Sequence, residues 1–141
     1  MSESRFSQNI QISLDWGDLD TFGHINNIAF FKYVQTSRVN YWDCIKLTKL
    51  HKEVGIGPVL VSCKCDFKKV LYYPGQITVL SRVEYIRNTS FSIYHRIIDE
   101  KNRIAAEAHD IMVMFDYNKN VKIQFPEDLK KRVEEIEKRQ F

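Results

Sequence analysis

One segment limits the folds open to this chain. Over residues 27–48 the apolar side chains recur at helical spacing and wrap most of the way round. Phe31, Val34, Tyr41 and Ile45 form one stripe, which Phe30, Tyr33, Trp42 and Leu47 widen. A helix that is apolar on nearly every side has to be enclosed rather than laid on a surface. Asn26 or Asn27 can cap its start, accepting from backbone N–H groups that lack an intrahelical partner. Whatever encloses the helix comes from the rest of 141 residues, a length that suits one domain, 1–141, with a sizeable core.

The remaining sequence alternates with a period of two, the pattern of half-buried strands. Phe6, Ile10, Ile12, Leu14 and Trp16 share one parity near the start. After a Gly-Ile-Gly-Pro break, Val59, Val61, Cys63, Cys65 and Phe67 face one way, with Leu60, Ser62, Lys64, Asp66 and Lys68 opposite. Pro74-Gly75 marks a turn before Ile77, Val79, Val83 and Tyr85. Arg87-Asn88-Thr89 and Glu100-Lys101-Asn102 then link strands over 90–99 and 103–116, and Pro126 opens a final helix striped by Leu129, Val133 and Ile136. Short links imply antiparallel neighbours. The predicted class is α+β: a five-stranded antiparallel sheet wrapped around one long buried helix.

Composition removes several function classes. Hydrophobic residues make up 44% and charged residues 28%, the balance of a globular protein. Apolar runs fall far short of the roughly 20 residues a membrane span needs, and residues 1–6 carry no secretory-type run, so a cytoplasmic protein without membrane association is expected. Cys44, Cys63 and Cys65 lack paired metal spacing, and His51, His95 and His109 do not cluster with carboxylates, so neither metal nor cofactor is expected. A net charge of +3 without a basic stripe speaks against nucleic acid and is compatible with a phosphate-bearing small molecule.

The densest chemical signal is Asp18-Leu19-Asp20-Thr21-Phe22-Gly23-His24-Ile25-Asn26-Asn27. Two carboxylates stand just before a helix N-terminus, where free N–H groups and the helix dipole favour negative charge. Thioester hydrolysis needs a carboxylate that attacks or activates water, and N–H donors for the oxyanion that develops. This segment can supply both; the same residues can equally serve as cap and turn formers.

The segment resembles the signature of the 4-hydroxybenzoyl-CoA thioesterase-like hotdog family, in its acyl-CoA thioesterase branch. There the motif reads D-x-D-x-x-G-H-V-N-N and precedes a helix with an aromatic run and a late Arg, matched by Phe30-Phe31-Lys32-Tyr33 and Ser37-Arg38. Val61-Ser62-Cys63, Tyr73-Pro74-Gly75 and Glu84-Tyr85-Ile86-Arg87-Asn88-Thr89-Ser90-Phe91 extend the likeness over nearly the whole chain. The resemblance implies the hotdog fold and acyl-CoA hydrolysis, with Asp20 as general base or nucleophile and helix N-terminal N–H groups at Asn27 and its neighbours polarising the carbonyl. It also implies a homodimer or homotetramer whose sites lie at the dimer interface. Gly23, His24 and Asn27 are expected at the substrate; for His24 a loop-fixing role stays open. Arg87, with Thr89 and Ser90, is the first candidate for the coenzyme A phosphates, ahead of Lys64, Lys68 and Lys69. Asp18 ranks second to Asp20, as a loop-ordering group. Phe22, Phe30 and Tyr33 are candidate acyl-pocket residues. Gln76 stands where the family has Asp after Pro-Gly, and Gln35-Thr36-Ser37 holds no Glu of the kind some relatives use. The alternative is a non-catalytic hotdog protein that binds acyl-CoA or an acyl carrier.

Overall fold

The computed structural model describes residues 5–141. Strand β1 (Gln8–Ser13) leads through a single 3-10 turn (Trp16–Asp18) to the long helix α1 (Asn27–Cys44) and a short helix α2 (Leu47–Val54). Four long strands follow, β2 (Ile56–Phe67), β3 (Gln76–Ile86), β4 (Ser90–Ile98) and β5 (Ile104–Asp116). A two-residue strand β6 (Val121–Lys122) and helix α3 (Glu127–Glu137) complete the chain. All pairings are antiparallel in the order β1-β3-β4-β5-β2, with β6 added to β5.

The sheet encloses α1 because both halves of that helix are apolar. Ala29, Phe30, Tyr33 and Val34 pack on Leu14, Ile77, Val79, Ile97 and Ala108 in one buried cluster. Tyr41 and Ile45 pack on Val83, Phe91, Ile93, Met112 and Met114 in a second, which α3 closes with Leu129 and Val133. Between the clusters lies a polar layer. Ser37 and Arg38 of α1, His95 of β4 and Asp110 of β5 are each at most 6% exposed.

Several expectations shift. The helix expected over 27–48 ends at Cys44, because Lys46 adopts a positive φ of 63° and α2 starts afresh at Leu47. Phe31 falls outside the buried stripe at 39% exposure, while Ser37 and Arg38 lie inside it. In β2 the register slips between Leu60 and Ser62: Val61 sits on a bulge and is 56% exposed, and Val59, opposite Val113, lies on the other face from Cys63, which is opposite the buried Asp110. Trp16 leaves the β1 alternation for the 3-10 turn and is 72% exposed.

Candidate active site

The loop before α1 is a small folded unit built around Asp20. Leu19 and Ile25 pair as an antiparallel bridge, the Asp20 N–H donates to the His24 carbonyl (2.8 Å), and the Asn26 N–H donates to the Asp18 carbonyl (2.8 Å). The turn closes through Gly23, whose φ of 85° belongs to the left-handed region that favours glycine. Ile25 donates its N–H to the Leu71 carbonyl (2.9 Å), tying the loop to the segment after β2.

This turn orients the Asp20 carboxylate. Its Oδ1 accepts from the N–H groups of Phe22 (2.8 Å) and His24 (3.1 Å). Among the described residues Oδ2 has no protein partner, and Asp20 lines a cleft of about 330 Å³. Asn26 caps α1 by accepting from the Ile28 N–H (3.0 Å). The next N–H, that of Asn27, has no acceptor among the described residues, as expected of a helix's first turn. Asp20, His24 and Asn27 form one wall of the cleft's lining, Phe30, Phe67 and Val70 supply apolar surface, and Lys68 and Lys69 add positive charge. The rings of Phe30 and Phe67 meet edge to face at 5.2 Å, and His24 meets Tyr72 in the same way at 5.2 Å.

Asp18 has a different environment. Both its oxygens accept from Lys32 Nζ (2.7 and 2.8 Å), and the Tyr33 hydroxyl donates to Oδ2 (3.2 Å). Burial, together with the adjacent Asp18 charge, raises the Tyr33 hydroxyl well above its usual pKa, which keeps it a donor. A paired, doubly engaged carboxylate orders the loop; a carboxylate with one free oxygen on a cleft can handle a proton.

The expected residues fall into two groups. Asp20, His24 and Asn27 come together in one cleft, with Gly23 shaping the turn behind them. Arg87, Thr89 and Ser90 sit on the β3–β4 hairpin, at the other end of the sheet. On β5, Ala106 pairs with Phe67 at the Asp20 end and Val113 with Ser90 at the hairpin end, seven residues or about 23 Å of strand apart. There the Arg87 guanidinium lies 4.2 Å from the centre of the Tyr85 ring. Phe22 is 83% exposed and Tyr33 is core, so of the suggested acyl-pocket aromatics only Phe30 lines the cleft. Phe67 and Val70, which sequence reasoning did not single out as pocket residues, do line it.

The buried polar layer contains residue types of a nucleophilic triad. The Ser37 hydroxyl is 2.8 Å from His95 Nδ1, and His95 Nε2 is 2.6 Å from Asp110 Oδ2. Arg38 donates to both oxygens of Asp110, at 2.8 and 3.1 Å. Burial alone would raise the Asp110 pKa, but hydrogen bonds from His95 and Arg38 reverse this and hold it at about 2. Ser37 is 1% exposed and lines no part of the Asp20 cleft. The set locks α1 to β4 and β5. Among the described residues no group of three or more His, Cys, Asp or Glu side chains is placed to hold a metal, and no helix is long and apolar enough to cross a membrane.

A curled antiparallel sheet around a central helix defines the hotdog class, and the expected fold is the observed one, with the two-residue β6 as a sixth strand. The chain belongs to the Thioesterase-like superfamily, which matches residues 14–133. Among solved structures it resembles a thioesterase from Thermus thermophilus complexed with coenzyme A and zinc, at TM-score 0.85 and 20% identity over 96% of this chain and 98% of that one. A DHNA-CoA thioesterase from Staphylococcus aureus aligns at TM-score 0.81 and 16% identity, covering 92% and 90% of the two chains. In sequence, the uncharacterized Bacillus subtilis protein YsmA is 20% identical over 93 residues, 66% of this chain and 62% of that protein. The chain thus spans less than two thirds of that relative.

Proposed function

We propose that residues 1–141 act as one thioesterase domain that hydrolyses an acyl-CoA thioester to the free acid and coenzyme A. The observation that carries this reading is the half-engaged Asp20 carboxylate on a cleft that also receives the start of α1. With Oδ1 held by two backbone N–H groups, Oδ2 is the atom that takes a proton from water as the water oxygen attacks the thioester carbonyl carbon. The Asn27 N–H, pre-positioned by the Asn26 cap, donates to the oxyanion of the tetrahedral intermediate. Collapse of that intermediate breaks the C–S bond, and the proton returns to the leaving thiolate. Direct attack by Oδ2 through a mixed anhydride uses the same geometry, with water entering in the second step. Phe30, Phe67 and Val70 offer the acyl group an apolar wall.

The reading includes a homo-oligomer with the sites at a dimer interface. One feature supports it. β2 is an edge strand of twelve residues that leaves Leu60, Val61 and Phe67 exposed, an unpaired edge of the kind that recruits another strand. The Arg87, Thr89 and Ser90 hairpin lies about 23 Å along β5 from the cleft of its own chain, so the same proposal gives any part it plays at a site to a second copy. Cytoplasmic function, independent of metal and nucleic acid, belongs to the same proposal.

Thiol release across an acyl-CoA panel tests it. Turnover by the wild type, with its acyl preference, supports the proposal. Binding of acyl-CoA without turnover on any member of the panel contradicts it in favour of a carrier-binding role.

A further inference from the structure

The other edge of the sheet is open as well, and it runs beside a groove. β1 is the last strand on its side and pairs with β3, from Gln8 opposite Ser81 to Ser13 opposite Gln76. Alternate N–H and C=O groups of β1 therefore turn away from β3, and no backbone group of another element bonds them among the described residues. The strand reads Gln-Asn-Ile-Gln-Ile-Ser, with no charge, proline or bulge to discourage further pairing.

β1 and the flank of α1 enclose a groove of about 330 Å³, lined by Ile10, Gln35, Thr36, Val39, Asn40 and Asp43. The helix residues recur at spacings of three and four, so they form one stripe along α1. Ile10 packs against the first core cluster yet stays half-buried, because no further strand covers it, and Val39 is exposed. Cys44 Sγ donates to Gln8 Oε1 at 2.9 Å, which sets the Asp43 end of the groove beside the start of β1. Asp43 is the one charged residue of the lining. Its Oδ1 accepts from Thr48 Oγ1 at 2.7 Å, and its Oδ2 has no partner among the described residues.

We propose that the β1 edge and the α1 flank together bind an extended segment of a partner protein, added antiparallel to β1. Its backbone takes up the open ladder while alternate side chains enter the groove, an apolar one between Ile10 and Val39 and an Arg or Lys at Asp43. A second copy of this chain does not offer that chemistry. Symmetric antiparallel pairing of two β1 strands carries each chain past Ser13 toward the other's Gln8, and so brings Asp15 rather than a cation to the Asp43 end. The groove shares no lining residue with the Asp20 cleft, so the proposal stands apart from the thioesterase reading.

The test is an NMR titration of the full chain with the capped peptide acetyl-Thr-Val-Thr-Val-Thr-Arg-amide, whose valines and arginine share one face when extended. Shift changes are expected over residues 8–13 and 35–43 and not elsewhere, with slowed amide exchange in β1. Replacing the peptide's arginine by glutamate should weaken binding about threefold, as should Val39→Asp for the arginine peptide. Asp43→Lys should reverse the order of the two peptides. Asp43 also bonds Thr48, so the wild-type comparison of the peptides and the Val39→Asp variant carry the test if Asp43→Lys disturbs α2. No shift changes up to about 1 mM peptide overturn the proposal. Changes centred on β2, or binding indifferent both to the peptide's charge and to Val39→Asp, overturn it equally. Slow β1 exchange without peptide, in a dimer that Val39→Asp dissolves, gives the groove to a second copy and also overturns it.

Discussion

Lys32 Nζ lies 2.7 Å from one carboxylate oxygen of Asp18 and 2.8 Å from the other, and this pairing separates two carboxylates that stand two residues apart. Asp18 is held at both oxygens; Asp20 is held at Oδ1 alone, and its Oδ2 has no partner among the described residues.

That division predicts a clear ranking of variants. Asp18→Asn and Lys32→Met should each reduce kcat/KM by no more than about tenfold, through a looser loop. Their effect on stability should stay below about 1 kcal/mol, because the Lys32 side chain is 55% exposed and solvent screens the pair. Steady-state kinetics and denaturant melts read both effects. An Asp18→Asn loss as large as that of Asp20→Asn would contradict the assignment of roles.

The Arg38–Asp110 pair sets a second expectation. Arg38→Met leaves Asp110 buried with its charge incompletely matched and should destabilise the fold by about 3–5 kcal/mol in chemical denaturation. A loss below about 1 kcal/mol would show that the pair is not what holds α1 to β5.

Acid should expose the same group. The Asp110 pKa is depressed from an ordinary 3.8 to about 2, so on acidification the unfolded chain takes up this proton first. Its contribution, about 2 kcal/mol, is complete above about pH 5 and drains as pH falls toward 2. Stability measured from pH 6 to pH 2 should fall through that window, and Asp110→Asn should flatten this part of the curve. An unchanged slope in the variant would remove Asp110 from the account.

Ser37 tests whether its neighbours are a lock or a hidden nucleophile. Ser37→Ala removes a hydrogen-bond partner of His95 and should cost about 1–3 kcal/mol of stability, with kcat nearly unchanged. Serine-directed sulfonyl fluorides should leave the protein unmodified. Covalent labelling of Ser37, or loss of turnover in a folded Ser37→Ala variant, would place the chemistry in the core instead.

Much of this fold was legible because a sheet that buries one face writes its period into the chain. The alternation Ile77, Val79, Val83 and the turn signals at Arg87–Thr89 and Glu100–Asn102 placed β3, β4 and β5 within a residue or two. The break at Lys46 was not legible, since no Gly or Pro marks it and a lysine takes the positive φ. The bulge at Val61 inverted the expected facing of part of β2 because a period-two reading assumes an unbroken ladder. At the site, the placing of Asp20 could be read locally, as every hydrogen bond of that residue spans four residues or fewer. The contributions of Phe67, Val70 and Lys69, and the Ser37–His95–Asp110 set at separations of 58 and 15 residues, arise only when the sheet closes on α1.

The central claim is that Asp20 supplies the reacting carboxylate, and the direct measurement is kcat and KM of Asp20→Asn against wild type on the best acyl-CoA substrate. The amide keeps the size of the group and an oxygen to accept from Phe22 and His24, but it has no basic oxygen to take a proton. The account predicts a fall in kcat of about a hundredfold or more, with KM changed by less than about threefold, since the interaction is made in the transition state. A folded Asp20→Asn protein that retains wild-type kcat would contradict it.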